Sequence, residues 1–265
     1  MRPALVYRRA AMSIWGKLVG GSVGLAFGGP IGGLLGALAG HAVDLHAADW
    51  VETGTALVAT PRDETQHIVF TIGVIVLSAK MAKVDGRVTH DEIDAFRDMF
   101  HIPPHELKNV ARVFDLAKRD AGGFEPYARQ VAQLLRNRPA VLEEVLDCLF
   151  HIARADGKVG EAEIDFLRAV ADIFGFSPAE FHRIAASNGV DPTLGGETDP
   201  YAVLGLGKDV SDDDARAAWK RLVREHHPDR LTAQGLPPEF VRMATEKLAR
   251  INAAWDRIAK ERGLN

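Results

Sequence analysis

The segment from Trp219 to Phe240, WKRLVREHHPDRLTAQGLPPEF, decides how this chain is read. It begins as a strongly charged helix and runs into His227-Pro228-Asp229, where Gly or Asn would be the usual stop. Pro228 fixes its own φ and steers His227 away from helical geometry, so the helix ends abruptly. An imidazole and a carboxylate are therefore expected at one end of a positive helix. Upstream, Ser211 followed by Asp212, Asp213 and Asp214 marks the helix start, with acids on the positive end of the dipole. Trp219, Leu222 and Val223 form its apolar stripe. Arg216, Lys220, Arg221 and Arg224 fall mostly on the other side, at spacings of three and four, and residues 216–226 carry a net charge of +3. Past the corner, Phe240, Ala244, Leu248, Ile251, Trp255 and Ile258 recur at helical spacing. Two apolar stripes joined by a loop make an antiparallel helical hairpin.

Several chemistries compete for the corner. Basic residues late in a helix already favour its negative end, so the corner could be only a turn. His226, His227 and Asp229 could ligate a cation, but adjacent histidines on a helix point in different directions. A His–Asp dyad would need a nucleophile motif, and none accompanies it. As a docking surface, Asp229 would take a charge-assisted bond from a partner's arginine.

Working outward, two stretches 71 residues apart echo each other: AKVDGRVTHDEIDAF, Ala82–Phe96, and ARADGKVGEAEIDFL, Ala153–Leu167. Each reads as a helix end, an Asp-Gly turn, one valine and a new helix. Asp85-Gly86 and Asp156-Gly157 supply the left-handed residue that terminates a helix. Thr89 with Glu92 forms a capping box, and Gly160 with Glu163 is its counterpart in the second copy. QHIVFTIGVIVLSAKMAK, residues 66–83, has only about a dozen continuous apolar residues, which suits a core helix and not a span. Further helices are expected over 104–119, 125–137, 139–155 and 177–187, with prolines near their starts. The clustered acids, among them Asp85, Glu92, Asp156 and Glu163, are candidate ligands for a hard cation such as calcium. Their spacing lacks the alternation of a calcium loop, and first-turn acids already serve as caps and complement the helix dipole.

The start of the chain has a different character. Leu18 to Gly40, LVGGSVGLAFGGPIGGLLGALAG, passes 23 residues without a charge, long enough to cross a bilayer as a helix. Gly20, Gly24, Gly28, Gly32, Gly36 and Gly40 recur every fourth residue on one face, the small-residue pattern through which membrane helices self-associate. In water each would weaken a helix by about 1 kcal/mol against alanine. A single-pass anchor is the expectation. A signal peptide ending at Ala37-Leu38-Ala39, a re-entrant hairpin broken at Gly28-Gly29-Pro30, and a flexible tail are the alternatives. Arg2, Arg8, Arg9 and Lys17 precede the span and no Lys or Arg follows until Arg62. Taken alone, that asymmetry would send the bulk of the chain outside the cytoplasm. A start at Met12 would leave only Lys17 and weaken the signal.

Charge excludes one function class. Residues 1–44 hold four Lys/Arg against one acid, residues 45–198 hold 16 against 24, and residues 199–265 hold 12 against 11. No part is basic enough for a general nucleic-acid binder. The single cysteine, Cys148, excludes an internal disulfide and a Cys-rich zinc module, and its apolar-periodic setting points to core packing.

The paired repeats, over roughly residues 65–187, resemble the TerB-like domain, an all-helical fold also found in membrane-linked co-chaperones. That resemblance implies a helical scaffold that could hold a cation; it does not imply a reaction. DPYAVLGL from Asp199, the basic helix, the HHPD corner and the helix after it resemble the J domain of DnaJ-type co-chaperones over residues 199–262. HHPDRLTAQGLPPEF, together with Trp15-Gly16-Lys17 ahead of the glycine-rich span, is similar to the DjlA type of membrane-anchored DnaJ-like protein. The resemblance implies docking on an ATP-bound DnaK-type chaperone and stimulation of hydrolysis in that partner's active site. This chain would then hold no catalytic residue and no cofactor. Carried over, the corner is His227, Pro228 and Asp229, and the docking face is Lys220, Arg221 and Arg224, with Arg216 at its edge. Tyr201, Leu204, Leu222, Phe240 and Trp255 would form the hairpin core. The Cys-rich zinc repeats and Gly/Phe-rich segment of full DnaJ are missing, so general holdase activity is not implied.

The expected architecture is all-α: a tail and anchor over 1–44, a TerB-like bundle over 60–187, a linker over 188–198 and a J domain over 199–265. The expected partners are a DnaK-type ATPase, the lipid bilayer and a second copy through the glycine face. The family places its J domain in the cytoplasm, where ATP is found, and that requirement outweighs the charge asymmetry. The rival expectation is a cation- or stress-responsive TerB-type binding module with the J domain as accessory.

Overall fold

The structure is a computed structural model that describes residues 29–34, 62–84, 90–100, 107–119, 123–155, 157, 159–190, 198–237 and 240–264. Its regular elements are all helices: α1 Arg62–Val84, α2 His90–Phe100, α3 Leu107–Arg119, α4 Glu125–Leu134, α5 Pro139–Ala153, α6 Glu161–Phe174 and α7 Pro178–Ser187. There follow α8 Pro200–Leu204, α9 Asp212–Glu225, α10 Pro228–Ala233 and α11 Val241–Arg262. Proline stands in the first turn of α4, α5, α7, α8 and α10, where its missing N–H costs nothing.

The bundle is built around α1 and α5. Every residue of α1 from Phe70 to Ala82 is buried, as a helix apolar on all sides must be. It packs against α3, α4, α5 and α6. Gly73 permits the approach of α4, since a Cβ there would meet Val131 Cγ2 at 2.9 Å. In α5, Val141 through Phe150 are all buried, including Glu143, Glu144 and Asp147. Cys148 lies among them with its thiol pushed well up by burial and by Glu144 and Asp147, which makes it an inert filler of the core.

The second repeat folds as its residues dictate. Gly157 has φ +112°, Gly160 caps α6, and the Gly160 N–H donates to Glu163 Oε2 at 2.8 Å. Gly175, in the left-handed region, closes α6. Ser177 caps α7 in a full box with Glu180, its N–H donating to Glu180 Oε2 at 2.8 Å. The corresponding turn of the first repeat, Asp85 to Thr89, lies outside the described residues.

The hairpin has a core of its own from Tyr201, Leu204, Leu222, Ile251, Trp255 and Ile258. The Trp219 ring stacks on Trp255 with centroids 5.0 Å apart and planes 8° from parallel. Its indole N–H donates to Asn252 Oδ1 at 2.9 Å. Arg262 ties the hairpin's far end together by donating to the Tyr201 hydroxyl, the Val210 and Lys208 carbonyls and Asp212.

Phe240 corrects one expectation. It packs not in the hairpin core but edge-on against Phe70 of α1 and Phe100 of α2, with centroids 4.7 and 5.1 Å away. Leu231, Leu236 and Ala244 join the same bundle core. The reason is geometric: α11 is 22 residues long, about 33 Å at 1.5 Å per residue. Its C-terminal half pairs with α8 and α9, and its N-terminal half projects beyond them onto the bundle.

Of the glycine ladder, only Gly32 falls within the described residues. Residues 29–34 are helical, Ile31 and Leu34 are buried against the bundle, and the Ile31 N–H donates to Gln130 Oε1 at 2.9 Å. Gly20, Gly24, Gly28, Gly36 and Gly40, with the cleavage-site alternative at residues 37–39, lie outside the described residues. Among the described residues no helix is long and apolar enough to cross a membrane.

Candidate docking surface

The α9 helix carries the candidate docking residues Lys220, Arg221 and Arg224. Ser211 caps it, its Oγ accepting from the Asp214 N–H at 3.1 Å, and Asp212, Asp213 and Asp214 fill the first turn. Ala215 and Leu222 are buried and set the inward face. Lys220, Arg221 and Arg224 are exposed on the other face, and none is paired with an acid among the described residues. Arg216 differs from them. It is half-buried, with its guanidinium 6.0 Å from the Trp255 ring centroid, a cation–π contact that fastens it to the hairpin core.

The corner follows directly. The His226 N–H donates to the Leu222 carbonyl at 2.9 Å, and His227 turns extended at φ −65°, ψ 128°, as the residue before proline should. The expected loop is in fact the start of a helix: Pro228 is the first residue of α10 and His227 is its cap, Nδ1 accepting from the Asp229 N–H at 3.3 Å. Proline at that position ends one helix and begins the next. Thr232 Oγ1 donates to the Pro228 carbonyl at 3.0 Å and Arg230 Nη1 to the Arg224 carbonyl at 3.4 Å, which pins the corner to both helices. The His227 side chain is 50 % exposed and that of Asp229 95 %, with Nδ1 and Oδ2 3.8 Å apart. With Nδ1 engaged in the cap, Nε2 is the nitrogen of this half-exposed ring left for a partner, beside an open carboxylate. Three cations and this pair are exposed together at one polar corner.

His226 points the other way. It is only 1 % exposed and lies between Glu143 and Glu144 of α5, its Nε2 and Nδ1 each 3.4 Å from a carboxylate oxygen. The three side chains of the metal alternative are therefore separated. Of the other cation candidates, Asp85 and Asp156 lie outside the described residues, as does the Glu92 side chain, while Glu163 is occupied in its cap. Among the described residues no group of three His, Cys, Asp or Glu could hold a metal ion.

Sequence reasoning missed the buried polar node beneath the corner. Lys247 of α11, 1 % exposed, reaches Glu143 at 2.7 Å, Glu144 at 3.2 Å and Asp147 at 2.6 Å. Arg183 of α7 forms a bidentate pair with Glu143 at 2.9 and 2.5 Å. Asn188 donates to Asp147 and to the Ile184 carbonyl. Burial alone would raise the Glu143 pKa, but Lys247, Arg183 and His226 outweigh it and hold the group well below its ordinary value. Glu144 is lowered in the same way, against its burial, by Lys247 and His226. Asp147 is pushed up by burial, with Glu144 and Glu143 adding to the effect against Lys247. Burial would lower Lys247, yet the three acids raise it well above an ordinary lysine. The sequence signal was three acids, Glu143, Glu144 and Asp147, inside the apolar stretch VLEEVLDCLF.

Comparison with known proteins finds three matching family models. The family model for tellurite resistance protein TerB matches residues 71–186, and that for the DnaJ domain matches residues 199–262. A third, the co-chaperone DjlA transmembrane domain, matches residues 12–57 and indicates a transmembrane helix there. Among curated proteins, co-chaperone protein DjlA of Photobacterium profundum is 30% identical, over 94% of this chain and 99% of its own length. That of Coxiella burnetii is 29% identical over 94% and 98% of the two chains, and that of Aliivibrio fischeri 28% over 96% and 100%. No solved structure matches.

Proposed function

Because the chain belongs to the DjlA co-chaperone family, we propose that its J domain docks on the ATP-bound form of a DnaK-type chaperone and stimulates ATP hydrolysis there. The carrying observation is that Lys220, Arg221, Arg224, His227 and Asp229 are all exposed on one continuous corner, while the hairpin's apolar residues are committed to cores. The three unpaired cations steer an acidic partner surface into place. Asp229 then accepts from a partner arginine and His227 offers Nε2, so the corner acts on the partner's conformational equilibrium. Hydrolysis takes place entirely in the partner.

The docking event is placed at the cytoplasmic face of the membrane, where the partner and ATP are, with the segment within residues 12–57 as anchor. The fourfold spacing of Gly20, Gly24, Gly28, Gly36 and Gly40 supports self-association of two anchors, whereas Gly32 is buried in the chain's own fold. Protease treatment of spheroplasts tests the orientation: the C-terminal domains should be protected, and their digestion from outside would overturn the placement. The activity is tested by single-turnover ATP hydrolysis of a purified DnaK-type chaperone with and without the full chain in detergent. Faster hydrolysis is expected; an unchanged rate at saturating chain would refute the proposal.

A further inference from the structure

Bundle and hairpin are held together by packing as well as by the chain that joins them. α11 enters the bundle core through its N-cap Phe240 and Ala244, and the hairpin core through Ile251, Trp255 and Ile258. One uninterrupted helix thus belongs to both. The polar node lies on the same seam: α5 contributes Glu143, Glu144 and Asp147, the hairpin contributes Lys247 and His226, and Arg183 closes the set from α7. A buried ion network is seldom a better source of stability than apolar packing of the same volume. What it supplies is selectivity, since three buried acids are satisfied in one orientation of the partner helix and left uncompensated in others. His226, held between two of those acids, is the residue directly before His227 and is the cap that ends α9.

We infer that Glu143, Glu144 and Lys247 are positioning residues for the His227-Pro228-Asp229 corner, and that the bundle is the rigid mount that fixes how the J domain is presented to its partner. The bundle's acids thereby act on docking without touching the partner. This inference rests on the co-chaperone reading for its functional half only; its structural half, a single rigid body, stands apart from it.

The test uses the full chain in detergent, spin-labelled through Arg129→Cys on α4 and Asp256→Cys on α11, both exposed, with the buried Cys148 unreactive. The unaltered seam should give one narrow distance distribution. Lys247→Met should broaden it and lower the melting temperature by roughly 6–20 °C, the effect of stranding buried acids. Lys247→Arg should restore most of both. In single-turnover hydrolysis, Lys247→Met should raise the concentration for half-maximal stimulation roughly tenfold, within the usual range of coupling between sites, and leave the plateau unchanged. Glu144→Gln, a milder change, covers the case in which Lys247→Met does not fold, and should give the same split in smaller degree. A distribution that stays narrow in both variants would overturn the rigid mount. A broadened distribution with unchanged half-saturation would overturn the positioning role. A chain that fails to stimulate at all, with the distances as expected, would instead strike the co-chaperone reading.

Discussion

Replacing Phe240 by alanine tests whether the hairpin is fused to the bundle or merely tethered to it. The ring is 1 % exposed and sits edge-on between Phe70 and Phe100 at 4.7 and 5.1 Å. Truncating a fully buried phenylalanine costs about 3–5 kcal/mol, of which each aromatic pair supplies about 0.5–1.5 kcal/mol. For a chain of this size about 2–4 °C is lost per kcal/mol, so a fall of roughly 6–20 °C is expected. Were the hairpin only tethered, Phe240 would be a surface residue and its loss would fall within about 0.5 kcal/mol of neutral. Urea unfolding of the full chain, followed by far-UV circular dichroism and by tryptophan fluorescence, reads the difference in midpoint. Since Trp219 and Trp255 report on the hairpin core, both probes should move together. A loss below about 1 kcal/mol by either probe would refute the fused seam.

Other consequences are equally concrete. Gly73→Ala should lower the melting temperature, because a Cβ at 2.9 Å from Val131 overpacks α1 against α4 at about 1–3 kcal/mol, more than the helix propensity of about 1 kcal/mol returns. Arg221→Glu or Arg224→Glu should weaken docking on the partner in a binding titration, and the gap from the native chain should shrink as salt is raised. Stability should fall on acidification below about pH 4.5, the ordinary value of the lowered Glu143 and Glu144. Their folded pKa values lie below the unfolded ones, so their contribution is complete above the unfolded value and is lost as pH drops through the folded values. Asp147, which is raised, runs the opposite way and offsets part of the loss. Urea midpoints measured from pH 7 down to 3 check the trend, and in Lys247→Met, where burial of the acids is no longer opposed by the lysine, the decline should shrink or reverse.

Local patterns were legible where the physics is local. The caps at Gly160 and Ser211, the first-turn acids from Asp212, the proline starts, and the extended His227 before Pro228 all depend on residues within one turn of each other. The exposed cations of α9 followed from helical periodicity against Trp219 and Leu222. What periodicity could not reveal was the partner of each face. Phe240 continues the stripe of Ile251 and Trp255 in sequence, yet it is packed by Phe70 and Phe100, which no spacing rule connects to it. No local pattern marks Lys247 as buried, because its acids lie 100 residues or more away. Glu143 likewise meets Arg183 across 40 residues. Such long-range compensation leaves no trace beyond charged residues standing where apolar ones would be expected.

The most direct measurement compares the native chain with His227→Gln in single-turnover ATP hydrolysis by the DnaK-type chaperone. His227 is exposed and only caps α10, so glutamine should keep the melting temperature within a few degrees. The account predicts that stimulation vanishes while the fold persists. Undiminished stimulation by His227→Gln would contradict it.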